Sequence, residues 1–554
     1  MSQTSMLQGC TPWPEELARR YTEAGVWAGI TVAEMIDRTA RRQPRKVAVI
    51  HGETRITYEG LVQSAKRLAS GLSSLGLRSQ DRVVVQLPNC PEFVILYLAF
   101  NYIGVIPVMA LRAHRHAEIR HFVRSSGAVA YCIPDRVGSF DYRAMAAEIA
   151  DEFPSLAHVV VVGEPEPGQV AYMPMAEHEP ADDDALARLR PDPSDVSTML
   201  LSGGTTSLSK LIPRTHNDYV YNARICSEVA GFSAETVFLA ILPLGHNYNL
   251  ACPGMLGVFH AGGTLVLATG TDAAEVFTTV ARERVTNVAA VVPLITTWVN
   301  GNLAKQFDVS SLQVVHNGGA RLAPELRGRL RGEFGCTPQE IYGTAEGLIN
   351  MTRLTDSDDL LLESSGAPVS DWDEIAVLDD RDRVLQDGEA GELVTRGPYT
   401  IRGYYNAPDI NAQAFTADGF YRMGDIVRKR GRYVYTEGRR KDLINRGGEK
   451  ISCDEVENLI FRLPQVKEVS LVAMPDPVFG EKACACVVLQ PAARLSFEDL
   501  IGHLRAQQIA SFKLPERLEV MESFPISPAG KILKRELREM VAERMAREQT
   551  NRTA

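Results

Sequence analysis

From about residue 30 to 160, short apolar, β-branched runs alternate with stretches whose apolar residues recur at helical spacing. The runs 47–51, 82–87, 105–109 and 158–162 read as strands, and 58–75 reads as a helix. That alternation predicts a parallel sheet flanked by helices. The stretch 93–111 is apolar except for Asn101 and long enough to span a bilayer. Pro91-Glu92 opens a helix, however, and Gly104 with Pro107 breaks the run, so it reads as a buried helix of about 10 residues followed by the strand 105–109. A Pro- and acid-rich surface excursion without apolar periodicity covers 163–195. The runs 237–242, 264–267, 288–292, 313–315 and 340–342 then each reach Pro, Gly or Asn within three residues. Open α/β sheets bind ligands beyond the carboxyl ends of their strands, which makes these turns candidate site positions. From residue 374 short hairpin-like strands take over, the last near 433–435, and a polar junction follows at Glu437-Gly438-Arg439-Arg440-Lys441-Asp442. Past it, 454–462 and 497–507 read as helices, 469–473 and 483–489 as strands, and 532–547 as a solvated terminal helix. The expectation is an α/β protein. A large N-terminal domain of helix-flanked sheets with a β-rich subdomain would span 1–438, and a small α+β C-terminal domain 439–554.

Composition narrows the function. A chain of 554 residues exceeds a single core, and 45% hydrophobic with 23% charged residues is ordinary globular usage. A net charge of -10 argues against broad nucleic-acid binding. Nine cysteines with no CxxC pair and no HExxH point to reduced thiols in a cytoplasmic protein, without a disulfide framework or zinc site. His114-Arg115-His116 reads as a surface turn, and the N-terminus lacks the basic start and apolar run of a signal peptide.

The run Ser202-Gly203-Gly204-Thr205-Thr206-Ser207-Leu208-Ser209-Lys210 has the chemistry of a polyphosphate cradle. Its glycines admit close backbone N–H approach, its hydroxyls donate, and Lys210 adds a compact charge. It is not a Walker loop, because Ser209 precedes the lysine and Leu211 follows it.

Together with Tyr342-Gly343-Thr344-Ala345-Glu346, Tyr421-Arg422-Met423-Gly424-Asp425, Gly438-Arg439-Arg440-Lys441-Asp442 and Pro528-Ala529-Gly530-Lys531, this loop resembles the AMP-forming adenylating superfamily over roughly residues 30–540. Gly245-His246-Asn247-Tyr248 and Arg396-Gly397-Pro398-Tyr399-Thr400 are similar to the stand-alone aryl-acid:AMP ligases of siderophore and nonribosomal peptide pathways. The resemblance implies ATP and Mg²⁺ as cofactors, and a small C-terminal domain that rotates about Lys441 between two half-reactions. It implies that Lys531 bridges the acid's carboxylate and the α-phosphate, that His246 stands near that carboxylate, and that Glu346 is the metal-associated acid. Asp425 and Arg439 would hold the ribose. Gly318, Gly319, Ala320 and Tyr342 would form the adenine shelf, with Gly343 and Thr344 beside it, and Ser202, Gly203, Gly204, Thr205, Thr206 and Lys210 would hold the phosphates. Ser207 and Ser209 depart from the Gly and Pro common in that loop, which loosens its expected shape.

The same resemblance places Asn247, Tyr248, Cys252, Ala320, Ile341 and Ile349 around the substrate ring. A neutral amide at 247 fits a phenolic hydroxyl and leaves an α-ammonium unpaired, so the acid should lack an α-amino group. Cys252 is a poor partner for a second, 3-position hydroxyl and Ile349 is large, so salicylate is expected ahead of 2,3-dihydroxybenzoate or a 3-hydroxypicolinate-like acid. No GGxS carrier motif follows Lys531, so the thiol acceptor is expected in trans: a phosphopantetheinylated aryl carrier protein or, alternatively, coenzyme A. Retention of Glu346, Asp425, Arg439 and Lys531 argues against a catalytically silent binding module.

Overall fold

The computed structural model describes residues 6–180, 183–202, 209–439, 443–446, 449–476, 479–507, 509, 511–527 and 531–553. Pro91 opens the helix Pro91–Ile103, where its missing N–H has no intrahelical acceptor to lose, and Gly104 closes it at φ 71°. Phe93, Leu96, Tyr97 and Phe100 of this helix share one core with Val83 and Val85 of one sheet and Phe238 and Leu265 of another. The stretch that imitates a membrane span is therefore a helix packed between two sheets. No helix among the described residues is long and apolar enough to cross a membrane.

The first sheet runs, in spatial order, Leu211–Thr215, Val196–Leu201, Ile106–Met109, Arg82–Val85, Ala130–Pro134, His158–Val162 and Val170–Ala171. Its pairs are parallel except that Val196–Leu201 and Leu211–Thr215 form a hairpin across the phosphate-loop segment. The second sheet carries Val47–His51, Thr264–Leu267, Val237–Ala240, Asn287–Ala290, Val314–Gly318 and Thr337–Gly343 as parallel neighbours in that order. Val47–His51, which the alternation placed with the first sheet, pairs with Thr264–Leu267 instead. An apolar run fixes that a strand forms, whereas its partner is chosen by packing more than 200 residues away. The excursion 163–195 is also more structured than its composition suggests, with a helix Tyr172–Ala176 and a further helix Asp183–Leu189. Gly71 makes this possible: a Cβ there would lie 2.5 Å from the Met175 carbonyl oxygen.

Glu374–Leu378, Ala390–Arg396, Tyr421–Arg430 and Tyr433–Arg439 form an antiparallel sheet, as the hairpin texture predicts. The last sheet holds Val466–Asp476 antiparallel to Gly480–Leu489, with Arg517–Val520 parallel on the other side. Its two faces have their own cores, one around Ile451, Val456 and Leu500 and the other around Val472, Leu537 and Val541.

Burial holds five histidines neutral. His114, His246, His260 and His316 are lowered to about 4 and His216 to about 3. The unfolded chain takes up these protons near pH 6.5, so stability falls as pH drops from about 6.5 toward about 4. Asp373, raised to about 7, and Asp195, raised to about 6, act in the opposite sense because burial keeps their protons on the folded state longer. Burial raises Asp218, Glu340 and Glu457 as well, but the charges of Arg214, Arg327 and Lys534 beside them work against that rise, so the five unpaired histidine shifts set the net direction. The melting temperature is therefore expected to fall by several degrees between pH 7 and pH 5, and a rise over that interval in a thermal-shift titration would refute the neutral assignments.

Candidate active site

Parallel register brings the strand ends abreast: Ala290 faces Asn317, Asn317 faces Glu340, and Gly318 faces Ile341. Beyond Val237–Ala240 the chain turns through Pro243 into the short helix Asn247–Ala251, capped by His246. The His246 Nδ1 accepts the Tyr248 backbone N–H at 3.2 Å, which leaves Nε2 as the protonated nitrogen of the neutral ring. Burial and then the Lys531 charge lower its pKa to about 4, so it is a neutral donor at physiological pH.

A cleft of about 490 Å³ opens over these ends, walled on one side by Gly319, Ala320, Ile341, Tyr342, Gly343 and Asp425 and on the other by Glu457, Lys467, Lys531 and Lys534. Lys531 reaches across it. A Cβ on Gly319, which sits at φ 84°, would lie 3.6 Å from the Lys531 Cε. The base of the lysine is pinned by Ser527, whose N–H donates to the Lys531 carbonyl at 2.7 Å and whose Oγ accepts the Lys531 N–H at 3.1 Å.

On the opposite wall the Tyr342 hydroxyl donates to Asp425 Oδ2 at 2.7 Å, and Asp425 stands across the ladder from Arg439. The Gly318-Gly319-Ala320 turn is held from beneath. Asn317 Nδ2 donates to the Ala320 carbonyl at 2.9 Å and to Glu340 Oε2 at 2.8 Å, and buried Arg327 pairs with Glu340 at 2.9 Å. Gly318 must be small, because a Cβ would lie 2.8 Å from Cζ of the Tyr248 ring. Gly343 must be small too, since its Cβ would meet the Leu348 carbonyl oxygen at 2.3 Å in the turn that carries Thr344 and Glu346.

The phosphate-loop ends are clamped together: the Ser202 N–H donates to the Lys210 carbonyl at 3.0 Å, and the Lys210 N–H to Ser202 Oγ at 2.9 Å. Gly203, Gly204, Thr205, Thr206 and Ser207 lie outside the described residues, as do Lys441 and Pro528-Ala529-Gly530. Tyr404 links the loop to the acid. Its ring lies 5.0 Å from Lys210 Nζ and its hydroxyl donates to Glu346 Oε1 at 2.8 Å.

Tyr248, Cys252, Ile341 and Ile349 belong to one buried apolar cluster, and Asn247 is buried beside them. Ala320 is exposed on the cleft wall with Gly319 rather than inside that cluster. The Asn247 side chain is held at both ends: Oδ1 accepts the Tyr219 hydroxyl at 2.7 Å, and Nδ2 donates to Cys252 Sγ at 3.3 Å. Asn222 Nδ2 donates to the same sulfur at 3.4 Å. Burial pushes the Cys252 thiol up, but the bonds from Cys226 and Asn222, the Arg214 charge and the bond from Asn247 outweigh it and bring the group below the ordinary thiol value.

The sequence profile of the AMP-binding enzymes matches residues 36–405, and that of the AMP-binding enzyme C-terminal domain matches 455–531. The chain belongs to the AMP-binding enzyme family. The resemblance to the adenylating superfamily is thereby borne out. Among the relatives of this AMP-binding enzyme is the 2,3-dihydroxybenzoate-AMP ligase of Bacillus subtilis strain 168, 44% identical over 98% of this chain and 99% of that one. A Streptomyces salicylyl-CoA synthase / salicylate adenylyltransferase is 46% identical over 96% and 98%. The apo structure of Mycobacterium smegmatis MbtA superposes with a TM-score of 0.75 at 37% identity, covering 97% of this chain and all of that one.

Several polar residues of the site were not singled out from the sequence: Tyr219, Asn222, Tyr404, Asn317, Arg327 and Glu340. The one local signal for them is charge spacing around the site, such as Arg214 and Asp218 four residues apart, which alone reads as a surface helix pair. Here that pair is fully buried.

Proposed function

We propose that this AMP-binding enzyme activates an ortho-hydroxy aryl carboxylic acid, salicylate foremost, in the cytoplasm as the first step of siderophore or aryl-capped peptide assembly. The observation that carries the reading is Asn247, a neutral amide held at both ends and buried beside an apolar cluster. It offers hydrogen bonding to a phenolic oxygen and no counter-charge to an ammonium. The names of the B. subtilis and Streptomyces relatives support this substrate class.

A carboxylate oxygen of the acid attacks the α-phosphorus of ATP, the bond to the bridging oxygen breaks, and pyrophosphate leaves with the electron pair, giving aryl-AMP. Lys531 stands opposite Gly319 and near His246, where its charge meets both the carboxylate and the α-phosphate. Neutral His246 directs Nε2–H to the acid without neutralising it. Asp425, oriented by Tyr342, accepts the ribose hydroxyls, with Arg439 beside it, and the Gly318–Ala320 turn leaves room for adenine. Ser202, Gly203, Gly204, Thr205, Thr206 and Lys210 hold the phosphates. The residues present fit a hard cation that keeps its waters. Glu346 has acceptor capacity besides its Tyr404 bond, and the described residues contain no cluster of three or more ligating side chains, so Mg²⁺ would be held by Glu346 and the nucleotide. When bound, it neutralises charge on the departing pyrophosphate.

In the second step a thiolate attacks the acyl carbon and AMP leaves. The domain division at 438/439, with rotation about Lys441, belongs to this reading. We assign a phosphopantetheinylated aryl carrier domain in trans as acceptor. The Streptomyces relative's name favours coenzyme A as a second reading. ATP–pyrophosphate exchange tests the first step: salicylate is expected to support exchange at least about tenfold faster than benzoate and far faster than any α-amino acid. Exchange driven best by an amino acid would overturn it. Cys252→Ser is expected to raise 2,3-dihydroxybenzoate relative to salicylate, and an unchanged ratio would refute the role given to the thiol.

A further inference from the structure

Tyr219 lies buried in the first turns of the helix His216–Val229, beside Asn247. Its ring sits 4.7 Å below the Arg214 guanidinium carbon. That guanidinium is fully buried and fixed on three sides, by Asp218 Oδ1 at 2.8 Å, the Ala345 carbonyl at 3.0 Å and the Tyr399 carbonyl at 3.2 Å. The helix start is fixed as well, because Thr215 and Asp218 cap each other. Tyr219 therefore presents its hydroxyl from a rigid platform. That hydroxyl donates to Asn247 Oδ1 at 2.7 Å.

An asparagine amide can face a ligand either way round, as acceptor or as donor. Here both neighbours choose the same orientation. Tyr219 takes the oxygen, and the Cys252 sulfur, which already accepts from Asn222, takes one N–H of the nitrogen. We propose that Tyr219 is a positioning residue for specificity: by holding the Asn247 oxygen it makes the amide a donor toward the substrate, so the site selects an ortho substituent that accepts a hydrogen bond and discriminates against an ortho amine. This inference rests on the ortho-hydroxy acid reading above.

The chemistry of the two acids separates them. In salicylate the phenolic hydrogen is donated internally to the neighbouring carboxylate, so the phenolic oxygen faces outward as an acceptor, matched to the second amide N–H. In 2-aminobenzoate one N–H is donated internally, the second points outward, and the nitrogen lone pair is delocalised into the ring. Its amine then meets the amide donor to donor, leaving both groups unpaired in a buried site.

The test is the kcat/KM of adenylation for salicylate, benzoate and 2-aminobenzoate in the full-length wild-type protein and in Tyr219→Phe, which keeps the ring under Arg214. The ratio of salicylate to 2-aminobenzoate is expected to fall about tenfold or more, the effect of one lost orienting hydrogen bond, while benzoate, which has no ortho group, stays within about threefold. An equal fall for all three acids would assign Tyr219 a purely structural role and overturn the proposal, as would an unchanged ratio. In an Asn247→Ala background the Tyr219→Phe effect on the ratio should vanish, and its persistence would show that Tyr219 does not act through the amide. A wild-type protein that adenylates benzoate as well as salicylate would remove the Asn247 reading itself, a failure distinct from loss of the Tyr219 effect alone.

Discussion

Lys531→Ala is expected to lower salicylate-dependent ATP–pyrophosphate exchange by about 10²- to 10³-fold, the typical cost of removing one preorganised charge contact from a transition state. Lys531 enters the cleft opposite the adenine-side turn, its Cε beside Gly319 and its charge felt by His246. It is supplied by the small domain, whose own cores do not depend on it. The fold and the thioester step from presynthesised salicyl-AMP should therefore survive. Wild-type-like transfer from that adenylate, beside a lost exchange reaction, is the expected pair of results. Exchange within threefold of wild type would remove Lys531 from the first step.

Asp425→Ala is expected to raise the KM for ATP by about 10²-fold, with a smaller effect on the KM for the acid. A carboxylate can accept both ribose hydroxyls, and a hydrogen bond to a charged group is worth about 1.5–3 kcal/mol, more when two are lost together. The Tyr342 hydroxyl, which donates to Asp425 at 2.7 Å, would also lose its partner. Tyr342→Phe should then show a milder form of the same phenotype. Steady-state kinetics with ATP and acid varied independently separate the two sites. An acid KM rising as much as that for ATP would place Asp425 elsewhere in the reaction.

The legible part of this protein was local. Pro91 and Gly104 bound the helix Pro91–Ile103, and turns after the apolar runs wall the cleft at Gly319 and Gly343. Glycine, lysine and carboxylate positions carry their chemistry in the residue type and its immediate neighbours, so motifs expose them. The supporting polar groups do not. Tyr404 reaches Glu346 across 58 residues and Tyr219 reaches Asn247 across 28, and neither tyrosine differs in sequence context from an ordinary core aromatic. Arg214 with Asp218 reads as a solvent-facing i,i+4 pair, and only the fold shows it buried at the start of the helix that carries Tyr219. Sheet membership of Val47–His51 failed for the same reason, because pairing is settled by distant partners.

Salicylate labelled with ¹⁸O in both carboxyl oxygens, incubated with the protein, ATP, Mg²⁺ and a thiol acceptor, follows the proposed chemistry atom by atom. If the carboxylate attacks the α-phosphorus and the thiolate then breaks the acyl–oxygen bond, mass spectrometry of the products will find AMP carrying one ¹⁸O, thioester retaining the other, and unlabelled pyrophosphate. Unlabelled AMP, or ADP and phosphate in place of AMP and pyrophosphate, would contradict activation of the acid through an aryl adenylate.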